Sequence, residues 1–174
     1  MNKEAINSKN KKDKIQNGEL PFWDLLTNEE IEQIKENSNI VTYNKQDIIF
    51  KQNTRTSHIM FVKKGLIKVF HENRTQKVKI IKIATPGEYI GLNSIFGEET
   101  FSYSAEAIDT SEILIIDSSI FENILKQNGN FTYNLTCALA GDNLELFQNM
   151  IVQSQKQLPG RVADIILYFT EHIY

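Results

Sequence analysis

A chain of 174 residues, 41% hydrophobic and 24% charged, can bury an ordinary core, so disorder of the bulk is excluded. Cys137 is the single cysteine, which excludes a disulfide scaffold, a zinc ribbon and a cysteine-ligated cluster within one chain. Net charge is −3, and residues 19–174 carry 14 basic against 20 acidic residues, which speaks against a basic face gripping nucleic acid in this stretch.

Residues 1–18 hold five lysines (Lys3, Lys9, Lys11, Lys12, Lys14) against Glu4 and Asp13, with few apolar residues. A flexible, solvated basic tail is expected there. The segment lacks the apolar stretch of a secretory signal, and no run nears the roughly 20 apolar residues that cross a bilayer. A cytoplasmic protein with no membrane partner is expected. Thr27, with Glu30 three residues on, forms a capping box for a short helix reaching about Asn37, with Ile31 and Ile34 on its apolar side. From Ile40 the period shortens. Runs 40–43, 48–50, 59–62, 66–70, 78–83, 104–108 and 112–116 are rich in β-branched and aromatic residues and are separated by polar turns. Seven short strands without intervening helices predict a sandwich or barrel, not βαβ units.

Beyond Asp117 the helical period returns. Ser118 or Ser119 is expected to cap a short helix through Phe121, Ile124 and Leu125 that ends near Gly129. A long helix follows from about Asn130 to Gln157. One stripe on it is Leu135, Leu139, Leu146 and Met150, interrupted by Asp142, Asn149 and Gln153; another is Ala140, Leu144, Phe147 and Ile151. Two apolar stripes predict packing on two sides, one against the chain's own barrel and one against the same helix of a second subunit. The first stripe, with Asp142, is the expected homodimer interface. Leu158-Pro159-Gly160 is expected to stop the helix and serve as a hinge, and an amphipathic helix restarts at Arg161.

Three segments, in order, carry a family resemblance. His58 to Val69 resembles the glycine-centred hairpin of cyclic-nucleotide-binding-type sensor domains. Pro86-Gly87-Glu88-Tyr89-Ile90-Gly91, with Ile95-Phe96, is similar to their ligand-cradling segment. Gly160 to Leu167 resembles the opening of the DNA-binding domain in Crp/Fnr-type transcription regulators. The resemblance implies a mainly β fold with α: a double-stranded β-helix (jelly-roll) sensor flanked by short helices, then a dimerisation helix. The implied divisions are a tail at 1–18, a β-roll at 19–129, the dimerisation helix at 130–158, and a hinge with a truncated winged helix-turn-helix at 159–174. DNA would be bound through a C-terminal domain not present in this chain.

The same resemblance points to an effector pocket of Tyr89, Gly91, Leu92, Asn93, Ser94, Phe101, Ser102, Tyr103 and Ser104, closed by Asn143 and Phe147. Its occupant would be an unidentified small molecule. The ribose-binding glutamate of the family is replaced by Leu92, and its phosphate-binding arginine falls near Ser102. Between Lys82 and Lys126 there is no basic residue, while Glu88, Glu98, Glu99, Glu106, Asp109, Glu112, Asp117 and Glu122 are acidic. Both departures oppose a phosphodiester, so no response to cyclic AMP or cyclic GMP is expected. Gly65 is expected to supply positive φ at a turn, and Cys137 to be a small buried hydrophobe.

Two other function classes stand beside the regulator. A stand-alone jelly-roll domain that binds a small ligand or a partner would account for the acidic surface. A cupin-type metal enzyme would need converging histidines, and only His58, His71 and His172 exist, without metal-ligand spacing. His71 is the one weak candidate for a haem ligand. No enzyme activity, metal or cofactor is expected.

Overall fold

The structure, a computed structural model, describes residues 22–75, 77–92, 96 and 100–172. The tail at 1–18, Asn93 and Ser94 lie outside the described residues. A single 3-10 turn, Trp23–Leu25, precedes helix α1 (Asn28–Glu36). Thr27 Oγ1 accepts from Glu30 N at 3.2 Å while Glu30 Oε2 accepts from Thr27 N at 2.8 Å, the expected capping box. Asn128 Nδ2 also donates to Glu30 Oε2 (2.9 Å) and to Leu25 O (2.9 Å), tying the first helix to a residue about a hundred positions later.

Eight strands follow: β1 (Ser38–Tyr43), β2 (Ile48–Phe50), β3 (His58–Lys64), β4 (Ile67–Glu72), β5 (Val78–Ala84), β6 (Tyr89–Ile90), β7 (Ser104–Ala107) and β8 (Ser111–Asp117). They form two four-stranded antiparallel sheets, ordered β1-β8-β3-β6 and β2-β7-β4-β5. The jelly-roll expectation holds. Seven of the strands coincide with the expected runs; β6, only two residues long, has too few positions to show a period. Met60, Val62, Ile67, Val69, Ala105, Ala107 and Ile113 alternate inward from both sheets to make the core.

The first sheet buries its other face as well. Ile59, Phe61 and Ile116 are fully buried there, as are Phe121 and Ile124 of helix α2 (Ser118–Gln127) and Ile34 of α1. The cap of α2 differs from expectation. Asp117, not a serine, occupies the N-cap, and its Oδ1 accepts from Ser119 N (2.8 Å) and Ser119 Oγ (2.6 Å). Those two bonds hold the Asp117 carboxyl below its ordinary pKa, and the field of His58 adds to the effect.

Gly65 opens the β3–β4 turn at φ +88°, as expected of a residue that needs the left-handed region. It is also pressed against β8: a Cβ at this position would lie 2.7 Å from Ser111 Cα.

The chain folds as two compact units, with the boundary between Gly129 and Asn130. The second unit contains helix α3 (Gly129–Gln155) and helix α4 (Leu158–His172). At 27 residues α3 is about 40 Å long. The break between the helices falls at Lys156-Gln157, two residues before the expected hinge. Leu158, Pro159 and Gly160 instead form the first turn of α4, where a proline without an N–H is favoured rather than disruptive. Lys156 Nζ bridges the break, 2.7 Å and 2.9 Å from the two carboxylate oxygens of Asp164.

Candidate functional site

The residues singled out around the ligand-cradling segment divide into three groups, and the pleat of two strands does the dividing. In β6, Ile90 pairs with Met60 and Tyr89 with Phe61, so adjacent side chains leave opposite faces of the sheet. Ile90 enters the core of the roll. Tyr89 turns outward, its ring 5.3 Å from Phe61 and 5.8 Å from Phe121, so it lines no cavity with Phe101. In β7, Ala105 and Ala107 face the core while Ser104 faces the other way, its Oγ accepting from Gln52 N at 3.0 Å. Ser102 is exposed, between these groups.

Gly91, Leu92, Phe101 and Tyr103 do come together, and they are packed rather than open. Phe101 is 3% exposed and stacks on Phe50, with ring centroids 3.9 Å apart and planes 17° from parallel. Tyr103 closes on the same phenylalanine at 5.7 Å. Gly91 adopts φ +81°, and a Cβ there would lie 2.7 Å from Phe101 Cε1, so only glycine admits the ring this close. The Gly91 N–H donates to the Tyr103 hydroxyl at 2.9 Å. A backbone donor at the centre of the expected pocket is thus satisfied by the chain itself. Phe50, which completes this aromatic filling, was legible in the sequence only as a strand residue.

The two tyrosines are a contrast in satisfaction. Burial raises the pKa of both phenols; for Tyr103 the Gly91 bond and the nearby Lys82 charge offset part of the rise. Both therefore stay neutral at ordinary pH. Tyr103 accepts a hydrogen bond, whereas the buried Tyr89 hydroxyl has no partner among the described residues. Tyr103→Phe is expected to cost about 1–2 kcal/mol, since it orphans a buried N–H. Tyr89→Phe should be neutral or stabilising by up to about 1 kcal/mol, because it removes an unsatisfied hydroxyl. Urea denaturation of the two variants measures the difference; a larger loss for Tyr89→Phe contradicts the assignment.

Glu88 anchors the turn before β6. Its Oε1 accepts from Thr85 N (3.1 Å) and Thr85 Oγ1 (3.0 Å), and its Oε2 pairs with Lys82. The basic residue nearest the cradle is thus already engaged.

Asn143 and Phe147 belong to the second unit, and both are exposed. Along α3, Leu135 is 4% exposed, Leu139 and Leu146 are half-buried, and Asp142 and Met150 are exposed. Cys137 is exposed, contrary to expectation, because it lies on a different stripe from Leu135. His58 and His71 sit on different sheets and are both exposed. Among the described residues no group of three or more His, Cys, Asp and Glu could hold a metal ion. No helix of the described residues is long and apolar enough to cross a membrane.

Residues 40–128 match the family model described as the cyclic nucleotide-binding domain. A Porphyra purpurea protein named as an HTH-type transcriptional regulator is 27% identical over 125 residues, which cover 72% of this chain and 51% of that protein. Among solved structures, the Thermus thermophilus catabolite activator protein matches with a TM-score of 0.61 at 22% identity, over 74% of this chain and 61% of that one. FixK2 from Bradyrhizobium japonicum matches with a TM-score of 0.71 at 18% identity, over 79% of this chain and 68% of that one. At these identities the structural likeness is one of fold.

Proposed function

The chain belongs to the cyclic nucleotide-binding domain family, and from that premise we propose that it is the sensing and dimerising part of a Crp/Fnr-type transcription regulator. The observation that carries this reading is a stripe on α3. Tyr133, Cys137, Ala140, Leu144, Phe147 and Ile151 recur at alternating spacings of four and three. All six are exposed, including Tyr133 (69%), Leu144 (63%) and Phe147 (61%). An apolar heptad left in water is the signature of a helix that pairs with its own copy. The homodimer seam is therefore this stripe, with Phe147 in it, and the buried Leu135 lies outside it.

A parallel pair of α3 helices carries two copies of α4 on one end. In a longer protein, recognition helices beyond α4 would then sit about one DNA turn apart, the spacing two half-sites demand. The joint is Lys156-Gln157, outside regular helix, and its rotation, with release of the Lys156–Asp164 pair, would set that spacing. The Porphyra purpurea relative and the activator of known structure are both longer than this chain, which spans 51% and 61% of them. DNA contact is assigned to the portion that they have in addition, in the cytoplasm, with no catalytic step.

We further propose that cyclic AMP and cyclic GMP are not its effectors. Phe101 and Tyr103 fill the interior, the Gly91 amide is already bonded, Leu92 replaces a ribose ligand, and residues 83–125 contain no cation for a phosphate. An effector of other chemistry has to displace Phe101 or enter elsewhere. Calorimetry of the purified chain with either nucleotide is expected to give no binding heat; micromolar affinity overturns this. The regulator reading itself is tested on the natural reading frame, including whatever follows Tyr174. That protein is expected to shift a palindromic duplex as a dimer, and one that dimerises without any affinity for DNA refutes it.

A further inference from the structure

The basic and acidic residues of the first unit are segregated along the chain. Residues 51–82 contain nine basic residues (Lys51, Arg55, Lys63, Lys64, Lys68, Arg74, Lys77, Lys79, Lys82) and one acidic, Glu72. The next 43 residues, 83–125, contain none that is basic. Ion pairing neutralises part of the basic segment: Lys68 Nζ lies 2.8 Å from Glu106 Oε1 across the β4–β7 pair, and Lys82 pairs with Glu88 of the turn after β5. Lys51 and Arg74 make no ion pair with any described residue, and both are exposed.

These two cations, with the equally exposed Glu72 between them in sequence, line a cavity of about 600 Å3 on the outward face of the second sheet. Its floor is Phe70, covered by the Lys68 ammonium 4.8 Å from the ring centroid. Ile48 (40% exposed) and Val78 (53% exposed) form apolar walls. The rim is built rather than loose. Gln52 Nε2 donates to Glu72 O at 2.8 Å, and Gln52 Oε1 accepts from Glu72 N at 2.9 Å. Its own N–H donates to Ser104 Oγ at 3.0 Å, so the turn carrying Lys51 is stitched to both β4 and β7.

We propose that this groove docks an extended acidic segment of a partner protein. An apolar side chain of the segment seats between Ile48 and Val78, and flanking carboxylates reach Lys51 and Arg74. Charge complementarity selects the class of partner, and the groove's own carboxylates refine it. Glu72 and Glu106 line the same cavity, where a continuous run of phosphates would be repelled. A peptide spaces its charges and can present them singly to Lys51 and Arg74. A second copy of this chain is disfavoured because the same basic face would meet itself across a two-fold axis.

The test is a titration of the 15N-labelled full chain with a short synthetic peptide alternating Asp or Glu with Leu or Val. A lysine-for-acid version of the peptide and a short DNA duplex are titrated in parallel. The acidic peptide is expected to shift the amides of Lys51, Phe70 and Val78, with affinity falling as salt rises. Lys51→Glu with Arg74→Glu should weaken it at least about tenfold. Lys126→Glu, at an exposed site outside the groove, should leave it unchanged. Unaltered urea midpoints of the variants exclude misfolding as the cause. The proposal is overturned by shifts confined to other residues, by equal binding of the lysine peptide, or by indifference to the double variant. It is equally overturned if the duplex perturbs the same amides more strongly, or if those amides shift with protein concentration alone.

Discussion

Leu144→Glu combined with Phe147→Glu is expected to leave the chain monomeric at concentrations where the unmodified chain is a dimer, as measured by light scattering. Each of these side chains is more than half exposed in the single chain, so its burial awaits a partner. Covering a leucine or phenylalanine contributes about 1.5–3 kcal/mol, and a two-fold seam counts each twice. Losing that burial on both copies, and facing carboxylates across the seam, should raise the dissociation constant by at least about 10⁴. The matching exchange at Leu139 and Leu146, both half-buried within the chain, is expected to lower the melting temperature instead. If that second pair alone abolishes the dimer without loss of stability, the seam lies on the Leu139 side.

Gly65→Ala is expected to destabilise the roll strongly. The left-handed φ of +88° costs a residue with a Cβ about 1–2 kcal/mol. The new methyl would lie 2.7 Å from Ser111 Cα, a backbone atom of a central strand that cannot move alone. Overpacking of that kind adds about 1–3 kcal/mol. Against a total stability of about 5–15 kcal/mol, the sum should move the urea midpoint substantially. Gly129→Ala is the control: no described atom lies within 4 Å of its added Cβ, and its midpoint is expected to hold or rise. Equal behaviour of the two variants would show that the β3–β4 turn yields to the methyl.

The roll was legible because β-branched runs and polar turns alternate on a scale that composition reveals. The candidate site was less so, and parity explains most of the shortfall. Tyr89 and Ser104 stand next in sequence to Ile90 and Ala105, which do face the core, but one residue along a strand is the opposite face of a sheet. A run of neighbours along the chain mixes the two faces. The stripes of α3 pose a different obstacle: both are apolar at helical spacing, and the burial of Leu135 against the exposure of Leu144 is what favours the second as the proposed seam. At Pro159 the sequence rule was right and its direction wrong, since a proline that cannot continue one helix is well suited to begin the next. The charge segregation around the outward groove was visible in the sequence throughout. It gained a location only when Lys51 and Arg74, 23 positions apart, fell on the same rim.

The exposed stripe of α3 has an uneven composition. Its N-terminal half holds one large side chain, Tyr133, beside the small Cys137 and Ala140, whereas Leu144, Phe147 and Ile151 fill its C-terminal half. In the proposed dimer, three large apolar side chains against one tyrosine would weight the grip toward the end that leads into α4. If the seam holds only modestly, mass action governs how much of the protein is paired. Below its dissociation constant, the dimer population grows as the square of the monomer concentration. The cell's rate of making this chain would thus act on the paired form more steeply than in proportion, with no ligand involved.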